Sequence, residues 1–261
     1  MPLTHDMGLI GFHLTPLLAD MHQYLMPTAL FIQHPTLWFQ KASDHRITTL
    51  ASPNFGYSHF LNYYKKNHAV GWDLSAVRLI FNGAEPISAK LSRQFMAEMG
   101  AYGLRPNTAF PVYGMAEASL AVTFPPVDEL LIEIRIDRQT AFGDLANELS
   151  EESADPAALS FVDLGMPVDD CQVRICDDNG KLLPERTVGE IQIKGPNVTG
   201  GYYNDPSSTE KAISKEGWLK TGDLGFMRNG RLVVTGRKKD ILFVNGQNVY
   251  PHDLEQMIEE T

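Results

Sequence analysis

KTGDLGFMRNGRLVVTGRKKDI, residues Lys220–Ile241, decides how the second half of the chain folds. Apolar residues recur on both sides of Asn229-Gly230, a dipeptide that favours the tight turn between antiparallel strands, so the stretch predicts a β-hairpin. An acid, Asp223, lies on the first strand and a base, Arg237, lies on the second. The sequence therefore predicts an anion and a cation at the open end of one hairpin.

The register of this hairpin has two interpretations. A two-residue turn would place Asp223 opposite Gly236 and leave Arg237 on the other face of the ribbon. A three-residue loop over residues 228–230 would place Asp223 opposite Thr235 and make Asp223 and Arg237 diagonal neighbours on one face. Only the three-residue loop predicts a polar clamp. Otherwise the two charges form an exposed ion pair worth under ~1 kcal/mol.

The composition describes a globular protein with an excess of acidic groups. The 261 residues are 43% hydrophobic and 21% charged, enough for one large or two smaller domains. A formal net charge of −10 argues against a nucleic-acid partner, which requires a basic surface. An anionic nucleotide would have to be held by local donors, a metal ion and backbone amides.

Three features of the sequence predict a cytoplasmic protein. No apolar run approaches the ~18 residues of a membrane span. The first residues, MPLTHDMGLIGFHL, lack the basic lead of a signal peptide. Cys171 and Cys176 are expected to point to opposite faces of one strand and to stay unbridged, as in a reducing compartment.

The first part of the chain, residues 1–163, is predicted to be an α/β unit with a mainly parallel sheet, because strand-like and helix-like segments alternate. ITTLASPN (47–54) and VRLIFNGAEPI (77–87) read as strands that run into turns. FGYSHFLNYYKK (55–66) and SAKLSRQFMAEMGAYG (88–103) read as helices.

The rest of the chain is predicted to be mainly antiparallel. Short strands dominate residues 164–236 and predict a small antiparallel β-barrel subdomain. Residues 237–261 are predicted to form a hinge and the beginning of a small α+β C-terminal domain, with a second hairpin and the start of a helix. Periodicity weakens over residues 125–163, and DLANELSEESADPAAL (144–159) within this range is predicted to be an acidic, exposed surface segment.

Two stretches carry residue types that often surround ligands. FPVYGMAEASL (110–120) places Tyr113 and Glu117 among small residues after a predicted strand, and FNGAEPIS (81–88) joins a strand to a loop. Each stretch alone predicts no more than an ordinary turn. Both belong to a series of six motifs that follow one another along the chain: MPLTHDMGLIG, FNGAEPIS, VYGMAEAS, GEIQIKGPNVTGGYY, GWLKTGDLG and GRKKDILFVNGQNVYPHDLE.

These six motifs resemble, in order and spacing, the core motifs of the adenylate-forming superfamily. That superfamily contains acyl-CoA synthetases, luciferases and the adenylation domains of nonribosomal peptide synthetases. HDMGLIG, NGAEPI, YGMAEAS and NGQNVYPHDLE are most similar to its fatty acyl-AMP ligase branch, which feeds polyketide and lipopeptide assembly. The resemblance implies that a fatty or related carboxylic acid reacts with ATP to give acyl-AMP, and that a thiol then takes the acyl group.

The resemblance also implies a role for individual residues. Tyr113 would stack on the adenine ring, Glu117 would hold Mg²⁺ at the phosphates, and Asp223 and Arg237 would clamp the ribose. This clamp requires the three-residue loop. The other nucleotide-binding positions are the opposite wall of the adenine slot and the segment that follows Tyr113: Asn82, Gly83, Ala84, Glu85 and Pro86, then Gly114, Met115 and Ala116.

Two further assignments have plain structural alternatives. His5 resembles the histidine near the acyl entrance and is assigned with Glu117 to the catalytic group. The alternative is a structural histidine paired with Asp6. Lys239 matches the position of the hinge about which the C-terminal domain swings between the two half-reactions. The alternative is a solvated linker lysine.

The superfamily pattern extends beyond the printed chain in both directions. It includes a phosphate loop upstream of HDMG and a catalytic lysine near the end of the C-terminal domain, and the sequence holds neither. We therefore expect this chain to be an internal fragment that is inactive alone.

The acyl acceptor is the least direct prediction. Extra sequence over residues 125–163 is similar to that of fatty acyl-AMP ligases, which favours an acyl carrier protein over free CoA as the acceptor. The alternative is a neutral surface insertion, since added loop length costs little. Three functions remain open: a carrier-protein-loading fatty acyl-AMP ligase, an acyl-CoA synthetase, and a non-catalytic nucleotide-binding or scaffolding domain.

Overall fold

The structure is a computed structural model. It describes residues 1–64, 71–138, 146, 148–149 and 158–240, and the backbone of 242–244 and 247–249. The chain divides into two compact units, Met1–Ile132 and Glu133–Thr261. The finer boundaries expected at 163/164 and 236/237 stay predictions.

The first unit contains the predicted parallel sheet. Its three strands pair in parallel in the order β1-β2-β3, with Leu50 opposite Ile80 and Ile80 opposite Ala109. The strands are β1 (Thr49–Ala51), β2 (Leu79–Asn82) and β3 (Ala109–Pro111). The α/β prediction for this part of the chain is confirmed.

Parallel strands need a crossover connection, and helices provide it between these strands. The two connecting helices that the sequence predicted are present, and the second is capped where the Ser88 side chain accepts a hydrogen bond from the Leu91 amide. The unit also has a π-helix, Met7–Leu14. The α-helices are α1 (Thr15–Leu18), α2 (Thr28–Gln33), α3 (Leu37–Asp44), α4 (Asn54–Tyr63) and α5 (Ala89–Gly100).

Aromatic side chains fill the core of the first unit. Phe39, Tyr57, Phe60 and Phe95 are completely buried, and the rings of Tyr57 and Phe95 stack with centroids 4.2 Å apart. Burial of each such side chain contributes about 1.5–3 kcal/mol, so this cluster fixes helices α3, α4 and α5 together.

A short antiparallel pair follows β3 in the same unit. Strand β4 (Tyr113–Met115) pairs with β5 (Leu120–Phe124), and a 3₁₀ turn, Ala116–Ala118, joins them. Glu117 therefore lies in a single tight turn.

The second unit is built on an antiparallel sheet. Four strands pair in the order β12-β11-β10-β9, and β6 (Glu133–Ile136) pairs separately with β7 (Leu159–Val162). The four strands are β9 (Gln172–Cys176), β10 (Gly189–Lys194), β11 (Leu219–Arg228) and β12 (Arg231–Arg237). The remaining elements are β8 (Met166–Pro167), α6 (Pro206–Ala212), β13 (Leu242–Val244) and β14 (Gln247–Val249).

The predicted barrel is confirmed only as an antiparallel unit. A closed barrel needs two neighbours for every strand. Within the described residues, β9 pairs with β10 and has an isolated bridge at Cys176–Leu182, whereas no pairing joins β9 to β12. The sheet is therefore open at β9.

The remaining predictions about cysteines, secondary structure and membrane spans have separate outcomes. Cys171 and Cys176 are buried and unbridged, as expected. The second hairpin is present as the antiparallel pair β13–β14, whereas the helix predicted after it lies outside the described residues. Most of segment 144–159, expected to be acidic and exposed, is also outside them, but Ala146 and Leu159 are described and are buried, so that expectation fails at these two residues. Among the described helices, none has the length and apolar character that crossing a membrane demands.

Candidate nucleotide-binding site

The hairpin β11–β12 brings Asp223 and Arg237 directly opposite each other. Nε of Arg237 donates a hydrogen bond of 2.7 Å to Oδ1 of Asp223. The turn consists of Asn229 and Gly230, with φ angles of 52° and 75°, and Arg228 faces Arg231 across it. Of the two loops that the sequence allowed, the two-residue turn is therefore the one present, and the three-residue loop that the clamp was expected to require is wrong. Asp223 and Arg237 nevertheless pair, as direct rather than diagonal neighbours.

A β-bulge in β12 explains this pairing. Gly225 faces Val234, but the next pair is Leu224 with Gly236, which leaves Thr235 as an extra residue. One added residue moves everything after it to the other face of the strand. Arg237 is thereby shifted onto the face of Asp223.

The two partners differ in exposure. The Asp223 side chain is 7% exposed and the Arg237 side chain is 51% exposed. Burying a carboxylate is costly unless a cation and hydrogen bonds accompany it. Arg237 supplies both, which holds the Asp223 carboxylate in one orientation. The pair is thus more buried than the surface ion pair considered from the sequence.

The loop that follows β2 holds five of the predicted nucleotide-binding residues. Asn82 and Gly83 are buried, whereas Ala84, Glu85 and Pro86 are exposed. A Cβ on Gly83 would lie 2.9 Å from the carbonyl oxygen of Val112, so only glycine fits there without a shift. Ala84 has a φ of 74°, in the left-handed region that is unfavourable for alanine.

Two residues of helix α4 hold this loop. The amide of Phe55 donates to Oε1 of Glu85 at 3.0 Å, and the side chain of Asn54 bonds to the loop at several points. Sequence reasoning missed Asn54. The available signal was an Asn directly after Ser-Pro at the end of a strand, where Asn side chains commonly bond to nearby backbone groups.

The segment from Tyr113 to Glu117 follows the neighbouring strand β3. Tyr113, Met115 and Glu117 are half-buried, and Gly114 and Ala116 are exposed. A Cβ on Gly114 would lie 1.8 Å from the carbonyl oxygen of Leu120, so β4 and β5 approach too closely for any other residue.

The two loops therefore leave adjacent parallel strands at the same edge of the sheet. Asn82 pairs with Pro111, and the Val112 amide donates to the Asn82 carbonyl at 2.8 Å. In open α/β sheets, ligands bind outside the carboxyl ends of the strands. This edge of the first unit is consequently the candidate site, and Asp223 with Arg237 forms a second group in the other unit.

Glu117 is the residue predicted to hold Mg²⁺. The described residues contain no group of three or more His, Cys, Asp or Glu side chains suited to a metal ion. A single half-buried carboxylate nevertheless fits Mg²⁺ chemistry, because this ion is usually held by one or two carboxylates together with substrate phosphates and water.

His5 makes the contacts expected of a structural histidine paired with Asp6. Its Nδ1 lies 2.7 Å from Oδ1 of Asp6, and Asp6 caps the π-helix by accepting a hydrogen bond from the Met7 amide. The His5 side chain is 40% exposed. Its catalytic role stays a prediction.

Lys239 lies exposed in the turn that follows β12. Its neighbour Lys238 forms an ion pair with Asp178, which raises the pKa of Lys238. Lys238 and Asp178 line a cavity of about 420 Å³ in the second unit, together with Glu190 and Leu224. The residues lining this cavity do not include Asp223 or Arg237. The hinge role of Lys239 stays a prediction.

Polar loops at the carboxyl edge of a parallel sheet define a class of α/β proteins in which nucleotide sites are common. The chain belongs to the AMP-binding enzyme family, which matches residues 1–203. The family predicted from the six motifs is thereby confirmed.

Individual relatives agree with this family. A Caulobacter vibrioides protein, whose description as an acyl-CoA synthetase is provisional, is 36% identical over 98% of this chain and 44% of its own length. A medium-chain-fatty-acid–[acyl-carrier-protein] ligase of Moorena producens is 32% identical over the whole chain and 45% of its own length. The chain thus spans less than half the length of these relatives.

A solved structure extends the likeness to the fold. It comes from a study of fatty acyl-adenylate ligases from E. coli and L. pneumophila and is 33% identical in sequence. The two superpose with a TM-score of 0.93 over all of this chain and 47% of the other.

Proposed function

We propose that the protein containing this chain is a fatty acyl-AMP ligase. It activates a fatty or related carboxylic acid with ATP and passes the acyl group to the phosphopantetheine thiol of an acyl carrier protein. The observation that carries the proposal is the Asp223–Arg237 pair, in which a buried carboxylate is oriented by an arginine, at positions that resemble the superfamily's ribose clamp.

The first half-reaction is a displacement at phosphorus. A carboxylate oxygen of the acid attacks the α-phosphorus of ATP, an O–P bond forms, and pyrophosphate leaves with the electrons of the broken bond. Little covalent chemistry falls to the protein, whose contribution is positioning and charge stabilisation.

The described residues divide this positioning between them. Tyr113 stacks on adenine, a flat ring that suits an aromatic face, and Asn82–Pro86 line the opposite wall. Asp223 accepts hydrogen bonds from the ribose hydroxyls, since an ionised carboxylate offers four acceptor sites, and Arg237 donates to the same sugar. Gly114, Met115 and Ala116 follow Tyr113 along the nucleotide, and His5 lies by the acyl carbonyl.

A magnesium ion completes the proposal. Glu117 would hold it, and it would supply neutralising charge at the phosphates, worth several kcal/mol in such reactions. Lys239 serves as the hinge between the two half-reactions, and the free thiols of Cys171 and Cys176 favour a cytoplasmic location.

The second candidate is an acyl-CoA synthetase, which the description of the Caulobacter vibrioides relative favours. The name of the Moorena producens relative supports a carrier protein as acceptor. Incubating the full-length protein with ATP, Mg²⁺ and a medium-chain fatty acid, and then with either a carrier protein or CoA, separates the two. We expect acyl-AMP by mass spectrometry and acyl transfer to the carrier protein. Efficient acyl-CoA formation would replace the ligase assignment, and AMP binding without acyl-AMP would indicate a non-catalytic domain.

A further inference from the structure

Asn54 lies where helix α4 begins, beside the loop that forms the proposed adenine wall. Strand β1 leads into α4 through Ser52 and Pro53, and β1 pairs with β2, from which the loop emerges. The two chain segments therefore leave the same edge of the sheet side by side.

The side chain of Asn54 bonds to the loop at its beginning, its middle and its end. Nδ2 of Asn82 donates to Oδ1 of Asn54 at 3.2 Å. Nδ2 of Asn54 donates to the carbonyl of Pro86 at 2.6 Å. The amide of Ser88, the residue that caps helix α5, donates to Oδ1 of Asn54 at 3.3 Å. The side-chain amide of Asn54 thus uses both its NH₂ donor and its oxygen acceptor, and its three hydrogen bonds link the first and last residues of the seven-residue loop Asn82–Ser88.

This loop needs such anchors because its conformation is unfavourable by itself. Ala84 is held at a φ of 74°, where an alanine is strained, and such residues persist only when their surroundings fix them. Ala84, Glu85 and Pro86 are exposed, so packing restrains them little. The hydrogen bonds of Asn54, together with that from the Phe55 amide to Glu85, therefore restrain this loop.

We propose that Asn54 is a positioning residue for the nucleotide: it sets the conformation of Asn82–Ser88 so that the adenine wall is formed before the ligand arrives. A preformed wall spares the ligand the cost of ordering the loop, which appears as tighter binding. This inference rests on the proposed function for the identity of the ligand. Asn54 itself acts through the loop.

The test compares Asn54→Ala with Asn107→Ala in the full-length protein. Asn107 is a matched control, since its amide also donates to a loop, at the Asp128 carbonyl, but away from the candidate site. The measurements are the Kd for AMP by calorimetry, the KM for ATP and for the fatty acid, kcat, and Tm. We expect Asn54→Ala to raise the Kd for AMP and the KM for ATP about tenfold, with the KM for the fatty acid nearly unchanged. Asn107→Ala should leave all these values near those of the unmodified protein.

A second variant keeps the test decisive if Asn54→Ala fails to fold. Asn54→Asp retains an acceptor for Asn82 and Ser88, removes the donor to Pro86 and places a negative charge against the Pro86 carbonyl. We expect it to weaken AMP binding at least as much as Asn54→Ala, because the added charge repels both that carbonyl and the anionic nucleotide. Unchanged AMP binding in the folded variants overturns the inference. So does a general defect, in which Tm and kcat fall and the KM values for ATP and for the fatty acid rise by similar factors.

The two proposals fail in different ways. If the unmodified protein binds AMP but makes no acyl-AMP, the proposed function is wrong, and the AMP Kd of the variants still decides the role of Asn54. If the unmodified protein makes acyl-AMP and Asn54→Ala binds AMP and ATP normally, only the inference about Asn54 is wrong. Failure of the unmodified protein to bind AMP overturns both.

Discussion

Asp223 and Arg237 face each other on β11 and β12, although a two-residue turn joins these strands, because Thr235 is an extra residue in β12. The same hairpin carries a second acid–base contact near its turn. There, Nε of Arg231 donates to both carboxylate oxygens of Asp163 at 2.8 Å. The two pairs have similar chemistry but different exposure, so they should respond differently to mutation.

Asp223→Ala in the full-length protein should weaken binding of a stable acyl-adenylate analogue by at least about a hundredfold. Two hydrogen bonds to a charged acceptor would be lost, each worth about 1.5–3 kcal/mol. Tm should change little, because the half-exposed Arg237 can be solvated by water. Calorimetric titration and thermal melting measure both effects. A much lower Tm with normal analogue binding would make Asp223 a structural residue.

Asp163→Ala should show the opposite behaviour. The Asp163 side chain is fully buried and Arg231 is 14% exposed, so the change removes a carboxylate that pairs with a largely desolvated cation. It also removes the bond from the Gly165 amide to Asp163. We expect a loss of about 3–5 kcal/mol in the free energy of unfolding, measured with denaturant. The folded fraction should bind the acyl-adenylate analogue normally, and a loss of less than about 1 kcal/mol would contradict the prediction.

The bulge can be tested at Thr235 itself. Deleting Thr235 should return Arg237 to the other face of the ribbon, so analogue binding should fall as it does in Asp223→Ala. Thr235→Val keeps the bulge and removes a buried hydroxyl that has no hydrogen-bond partner among the described residues. This control should bind normally and be as stable as the unmodified protein or up to about 1–3 kcal/mol more stable. Normal binding by the deletion variant would show that the register is unimportant.

Close approach of β4 and β5 gives a prediction for Gly114. Gly114→Ala places a Cβ 1.8 Å from the Leu120 carbonyl oxygen, so the strands must separate and the turn that carries Glu117 must move. We expect a lower Tm and, in the full-length enzyme, a loss of acyl-AMP formation. Gly100→Ala is the matched control, because a Cβ there meets nothing within 4 Å at the end of α5. It should be neutral or stabilising by up to about 1 kcal/mol. Equal melting temperatures for the two variants would contradict the steric explanation.

Much of the fold follows from local sequence patterns. The segments around Leu50 and Ile80 have the apolar character of buried strands, and the residues after each have helical periodicity, so the parallel sheet was predictable. Ser88 marks the start of α5 because its side chain caps the helix. Asn229-Gly230 fixes a hairpin turn, since both residues accept positive φ.

The features that sequence reasoning missed depend on contacts between distant segments. The bulge at Thr235 depends on pairing along the whole of β11 and β12, and no single residue in the sequence predicts it. Asn54 acts on a loop that begins 28 residues later, which helix-capping patterns do not reveal. Barrel closure also depends on distant strand pairing, and the edge at β9 could not be read from short apolar runs.

Fatty-acid-dependent exchange of labelled pyrophosphate into ATP tests the central claim most directly. Exchange requires that the acid and ATP react reversibly to acyl-AMP on the protein. We predict exchange by the full-length protein that depends on a fatty acid and falls at least about a hundredfold in Asp223→Ala. Absence of acid-dependent exchange in the unmodified protein would contradict the assignment of an adenylate-forming ligase, and unchanged exchange in Asp223→Ala would contradict the ribose clamp.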